Sequence, residues 1–103
     1  MENIQDIIEK IAAVIDTHKL SDGRYARWIT PGKNNRDTGI NPYGCADAAN
    51  ILYTIGRFPS DAAERAEWVK ALREMQDPET GLFNEATHHP IHTTAHCMAA
   101  LEL

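Results

Sequence analysis

Two pairs of side chains have the types and the spacing for proton-transfer chemistry. His92 and His96 are four residues apart, and Tyr43 and Asp47 have the same spacing 49 residues earlier (92 − 43 and 96 − 47). Residues four apart share one face of a helix. Histidine is the most common general acid or base, and a histidine pair of this spacing also suits a metal site. The four residues are therefore the predicted catalytic group, with His92 or His96 as base or acid and Asp47 as partner.

Helical periodicity predicts the elements that carry these residues. Helices are expected at about 3–18, 43–56 and 61–76, and from about His92 onward. Asp61, with Glu64 three residues later, predicts a capping box at the start of the third helix,. The segment 20–42 is a predicted loop, locally basic, that contains Tyr25 and Trp28. It fits either a solvated loop with two docked aromatic rings or a binding loop for an acidic or sugar ligand.

A weak internal repeat relates the two halves of the chain. Asp22-Gly23-Arg24-Tyr25 corresponds to the later segment Glu79-Thr80-Gly81-Leu82-Phe83. Tyr25 and Phe83 each follow a turn glycine by two residues, so both are predicted to be buried at the base of a helical pair. A period of about 50 residues is typical of stacked helical pairs. The prediction is one all-α domain over residues 1–103, made of two helical hairpins at about 3–56 and 60–103.

The order of helix, Gln76…Gly81-Leu82-Phe83 and helix resembles the repeat of the α/α toroid proteins. These include terpene cyclases, protein prenyltransferase β-subunits and many sugar lyases and hydrolases. The resemblance implies a partial α/α toroid, in which the second helix of each pair lines the substrate cavity with its N-terminal end. It implies a carbohydrate-active lyase or hydrolase, without a cofactor, acting on a small molecule or glycan. Tyr25, Trp28 and Asn50 would then bind the substrate.

Two other functions stay open. The prenyltransferase comparison implies a zinc site of Cys45, His92 and His96: Cys45 falls at that family's cysteine, and His92 lies one position before its histidine. The family's aspartate position holds Tyr43. The second alternative is a helical-repeat module without catalysis, in which these histidines and cysteines are structural. His88 and His89 precede a proline in a loop and are read as solvated.

Composition narrows the choice of partners and compartment. The net charge of −5 argues against a nucleic-acid surface, which is basic,. No apolar run is long enough to cross a membrane, and the first residues do not resemble a signal peptide,. Two cysteines make no disulfide framework, which favours reduced thiols and a cytoplasmic location,. The last helix carries no stop signal before Leu103. The chain therefore reads as truncated there, and it is expected to self-associate as a homo-oligomer.

Overall fold

Four helices and a small sheet make up the part of the chain that the computed structural model describes, residues 3–27, 39–85 and 88–103. In chain order the elements are α1 (Ile4–His18), β1 (Lys19–Ser21), β2 (Arg24–Tyr25), α2 (Pro42–Thr54), α3 (Ala62–Glu74) and α4 (Pro90–Leu101). The helices lie close to their predicted positions. The last helix ends at Leu101 instead of continuing through Leu103.

The predicted all-α fold is wrong. The segment read as a helix stop followed by a loop forms an antiparallel hairpin, in which Lys19 pairs with Tyr25 and Ser21 with Arg24. The protein is a small mixed α/β domain, not a partial toroid of repeated helical pairs. The cause is local. The backbone after His18 forms hydrogen bonds across the Asp22-Gly23 turn, so the chain does not continue as a helix.

The first helix also departs from the toroid arrangement. An outer toroid helix would bury its apolar stripe, but α1 has no buried residue. Ile4, Ile7 and Val14 are 74%, 43% and 57% exposed. These side chains leave an apolar surface on α1, and the self-association expected from the sequence stays a prediction.

The helix starts are fixed by capping side chains. Asn41 accepts hydrogen bonds from the backbone N–H groups of Tyr43 and Gly44 at the start of α2. Asp61 accepts from the N–H of Glu64 at 3.0 Å, which confirms the cap predicted for α3. His89 caps α4, because its Nδ1 accepts from the N–H of Ile91 at 3.1 Å. These caps satisfy N–H groups that have no partner within the helix.

The core lies where α2 packs against α4, the most extensive helix–helix contact in the described structure. Phe83, Cys45 and Cys97 are fully buried there. Trp68 of α3 closes one side, with its ring 5.1 Å from the ring of Tyr25. The predicted burial of Tyr25 and Phe83 is confirmed, at 3% and 0% exposed.

One local contact recurs in the two halves of the chain. The N–H of Tyr25 donates to Cys45 Sγ at 3.3 Å, and the N–H of Phe83 donates to Thr94 Oγ1 at 2.8 Å. Cys45 and Thr94 are again 49 residues apart (94 − 45). The internal correspondence is therefore present at the start of α2 and α4, although the elements before them differ.

None of the helices in the described ranges combines the length and the apolar character that crossing a lipid bilayer requires.

Gly23 is predicted to be the least replaceable of the glycines that the structure describes. Its φ is +74°, and an added Cβ would lie 2.6 Å from the Cα of Trp68. Gly23→Ala is expected to cost about 1–2 kcal/mol for the left-handed conformation and about 1–3 kcal/mol more for the clash. Gly56→Ala is the matched control, since Gly56 has a φ of +75° and nothing within 4 Å of an added Cβ. Equal losses in urea unfolding would contradict the close packing of the hairpin on α3.

Candidate functional site

The N-terminal ends of α2 and α4 lie side by side and bring the two predicted pairs together. The Tyr43 hydroxyl is hydrogen-bonded to Nδ1 of His92. One turn further along, Asp47 Oδ1 lies 2.7 Å from Nε2 of His96. Two contacts with the same sequence offset require the helices to run parallel and in register. The predicted proximity of the four residues is confirmed, and their catalytic role stays a prediction.

The helix ends are held together by the segment that precedes α2. The N–H of Asn41 donates to the carbonyl of Tyr25, and Ile40 bridges to Ala26, so this segment continues the edge of the hairpin. The first turn of α2 then lies directly against that backbone. A Cβ on Gly44 would come within 2.9 Å of the Ala26 carbonyl. Glycine at this position therefore permits the approach that places Tyr43 and Asp47.

Tyr43 is the centre of a stack of rings. Tyr43 is buried, with 6% of the residue exposed to solvent. The ring centroid lies 4.9 Å from that of His96, 5.9 Å from that of His92 and 4.3 Å from that of His88. The ring of His88 is in turn 5.7 Å from that of His92. Three imidazoles and one phenol thus share a single surface.

A buried carboxylate lies behind this stack. The side chain of Glu85 is 2% exposed, and His88 Nδ1 lies 2.9 Å from its Oε2. Arg27 Nη1 is 3.5 Å from the same oxygen, and Asn41 Nδ2 is 3.4 Å from Oε1. The guanidinium of Arg27 also lies over the Tyr43 ring at 5.3 Å, a cation–π arrangement,. Glu85 therefore holds a cation and an imidazole against Tyr43.

The interpretation of His88 as a solvated loop residue is wrong. His88 is tied to Glu85 and stacked on Tyr43. The sequence contained one signal for this, because His88, His92 and His96 are spaced by four. His89 is exposed, as expected, but it caps α4.

The hydrogen bonds give His92 and His96 opposite roles in proton transfer. His96 donates from Nε2 to the Asp47 carboxylate, so in the neutral ring Nδ1 is an acceptor,. With the Tyr43 hydroxyl as the donor, Nδ1 of His92 is the acceptor and the neutral ring carries its proton on Nε2,. One imidazole can take a proton and the other can give one. This is the equipment of a general base and a general acid.

The other predicted site residues lie away from the Tyr43 stack or outside the residues that the structure describes. Tyr25 packs in the core against Trp68, and burial raises its pKa to about 12. Asn50 donates from its side chain to the Ala46 carbonyl of its own helix at 3.0 Å. Trp28 lies outside the described residues. Neither Tyr25 nor Asn50 joins the Tyr43 stack.

The described residues do not gather the predicted zinc ligands. Cys45 is fully buried and its thiol contacts the backbone of Tyr25. Within residues 3–27, 39–85 and 88–103, no three histidine, cysteine or acidic side chains are grouped as a metal site would require. Cys45, His92 and His96 are thus not arranged around one point.

A cavity of about 170 Å³ adjoins the site between α1, β2 and α2. Ile15, Ala26, Gly44, Ala48 and Ile51 supply much of its apolar lining. Arg27 and Asp47 also line it, and both belong to the cluster around Tyr43. The cavity and the cluster around Tyr43 therefore share Arg27 and Asp47.

Comparisons of the chain with protein-family models, with curated proteins and with solved structures find no match. The function is therefore argued from the chemistry of the site.

Burial of acidic groups in the core predicts loss of stability at high pH. Burial raises the pKa of the Cys97 thiol from 9.0 to about 12, and it raises that of Tyr25 from 10.0 to about 12. Between these values the unfolded chain has released protons that the folded chain still holds. Stability is therefore full below about pH 9 and falls as the pH rises towards 12, by about 1.4 kcal/mol per pH unit for each group.

Urea midpoints measured across this range test the slope. Burial also raises the pKa of the Cys45 thiol, so Cys97→Ala should make the decline shallower without abolishing it. A midpoint that does not change across the range would contradict the burial of both groups.

Proposed function

We propose that this protein is a carbohydrate-active lyase that cleaves a glycosidic bond beside a uronic acid by β-elimination. The observation that carries the proposal is the pairing of Tyr43 with His92 and of Asp47 with His96 on adjacent turns of parallel helices. An elimination needs a base and an acid close together, and these pairs supply one of each.

His96 is the proposed base. Its Nδ1 removes the proton from the carbon next to the substrate carboxylate, while Asp47 stabilises the imidazolium that forms. The electrons of that C–H bond become the new C=C double bond, and the bond from the next carbon to the leaving sugar oxygen breaks. His92 donates its Nε2 proton to that oxygen while its Nδ1 takes the proton of the Tyr43 hydroxyl, so the imidazole stays neutral and Tyr43 becomes the phenolate. Exchange with solvent then returns His96 and Tyr43 to their starting forms.

Elimination beside a carboxylate also needs positive charge, because negative charge builds up on the carboxylate as the proton leaves. The guanidinium of Arg27 lies beside the Tyr43 ring. The N-terminal ends of α2 and α4 meet at the same place, and each carries the positive end of a helix dipole. This end of the molecule therefore suits an acidic ligand, although the chain has a net charge of −5.

Hydrolysis is less well supported than elimination. Most glycoside hydrolases use two carboxyl groups that flank the scissile bond. Glu85 is enclosed at 2% exposed and bound to His88, and Asp47 is bound to His96. The remaining groups of the Tyr43 stack are imidazoles and a phenol, which suit proton transfer.

The test is to incubate the 103-residue chain with uronate polysaccharides and to follow two products. An eliminase produces ultraviolet absorbance from the double bond conjugated to the carboxylate, in step with new reducing ends. Reducing ends without that absorbance would replace the lyase by a hydrolase. Absence of both, together with no binding of any uronate glycan, would favour the non-catalytic module and overturn the proposal.

A further inference from the structure

The cavity beside the site has the shape and lining of a subsite. Its volume is about 170 Å³, while an apolar cavity of about 150 Å³ is known to accommodate benzene. It can therefore hold one six-membered ring. About two turns of α2 form much of the floor, where Gly44, Ala48 and Ile51 present little or no polar surface. The face of a sugar ring that carries only C–H groups fits such a floor.

The charged groups at the cavity argue for a ring without net charge. Arg27 and Asp47 line the same cavity, and their side chains are 33% and 54% exposed. A guanidinium donates hydrogen bonds and a carboxylate accepts them, so together they suit hydroxyl groups, which do both. A second carboxylate here would be attracted by one and repelled by the other. The opposite charges thus favour a neutral, hydroxylated ring.

Asp47 connects this cavity to the proposed base. It lines the cavity and accepts the hydrogen bond of His96. A ring in the cavity is therefore next to the ring whose proton His96 would remove. We infer that the cavity binds a neutral sugar residue adjacent to the uronate, so that the preferred substrate alternates uronate and neutral sugar. This inference rests on the proposed lyase function and adds the identity of the neighbouring sugar.

Two substitutions on α2 would fill the cavity. Ile51 is 36% exposed, so Ile51→Trp adds bulk from its rim, and Ala48→Val adds methyl groups at its floor. Tyr53→Trp is the matched control, because Tyr53 is 53% exposed on the same helix and does not line the cavity. Thermal melts of each variant establish that it is folded.

The experiment compares elimination of an alternating uronate–neutral sugar glycan with elimination of an all-uronate polymer. Wild type and Tyr53→Trp are expected to prefer the alternating glycan. Ile51→Trp and Ala48→Val should raise its KM about tenfold or more, the scale of misfit in a binding pocket, and leave the all-uronate polymer unaffected. A folded variant that keeps the full preference would overturn the subsite while the lyase function stands.

Binding of a neutral disaccharide, followed by the NMR signals of the Ala48 and Ile51 methyl groups, tests the cavity without turnover. Shifts at both sets of methyl groups in wild type, with the Ala48 shift lost in Ile51→Trp, support the subsite even if no elimination is found. Unchanged methyl signals at saturating disaccharide would overturn it.

Discussion

Replacement of Phe83 by alanine is expected to lower the free energy of unfolding by about 3–5 kcal/mol. The ring is fully buried in the cluster that contains Cys45, Leu72 and Cys97. Its backbone is also fixed, because its N–H donates to Thr94 Oγ1 and the residue bridges to Gln76. These bonds hold the surrounding structure in place and oppose collapse into the space left by the ring.

The expected loss is large for a chain of this size. Domains of about 100 residues are stable by roughly 5–15 kcal/mol, so Phe83→Ala would remove at least about a fifth of this stability. Phe58→Ala is the matched control, since Phe58 is only half-buried and packs at the edge of the core. Urea unfolding of both variants measures the difference. A loss below about 1 kcal/mol for Phe83, against the expected range, would show that the ring does not support the core.

Local sequence patterns were sufficient to predict the features that depend on residues close together in the chain. Gly81 has a φ of +75°, and Phe83 two residues later is buried, as the turn pattern predicts. The offset of 49 residues predicted which side chains would be neighbours across α2 and α4. That prediction was correct because α2 and α4 run parallel and begin at equivalent positions. Residue pairs with the same offset therefore remain neighbours along the contact between the two helices.

The predicted fold class is wrong because the hairpin that decides it leaves only a weak pattern in the sequence. The strands of the hairpin have three residues and two residues, too short to show an alternating pattern. The apolar stripe of α1 is real, but periodicity reports a face and not whether anything covers it. Ile4 and Val14 remain exposed in the structure.

The part of the site around Glu85 could not be predicted from the sequence because tertiary contacts assemble it. Arg27 and Glu85 are 58 residues apart (85 − 27) and lie in segments without periodicity. Only the packing of α4 beside α2 brings Glu85 and His88 against the start of α2. The spacing of His88, His92 and His96 indicates a shared face, but nothing in the sequence indicates Glu85 as the partner of His88.

Tyr43→Phe is expected to lower kcat for elimination by about 10²–10⁴-fold, the usual worth of a positioned acid or base. The substitution removes one hydroxyl and keeps the ring that stacks on His96 and His88. His92 is exposed, so loss of its Tyr43 partner leaves no buried polar group without a bond. The unfolding free energy and KM should therefore change little, which assigns the loss to the proton-transfer step.

Tyr53→Phe is the control that gives this result its meaning. It removes the same hydroxyl from the same helix, at a residue 53% exposed whose ring packs on Phe58. If both variants retain wild-type rates, the Tyr43–His92 pair is structural and His92 alone would have to supply the proton. If Tyr43→Phe raises KM but preserves kcat, the hydroxyl binds substrate. Only a fall in kcat confined to Tyr43 makes the phenol part of the acid, because a bound but unreactive hydroxyl would not change the chemical step.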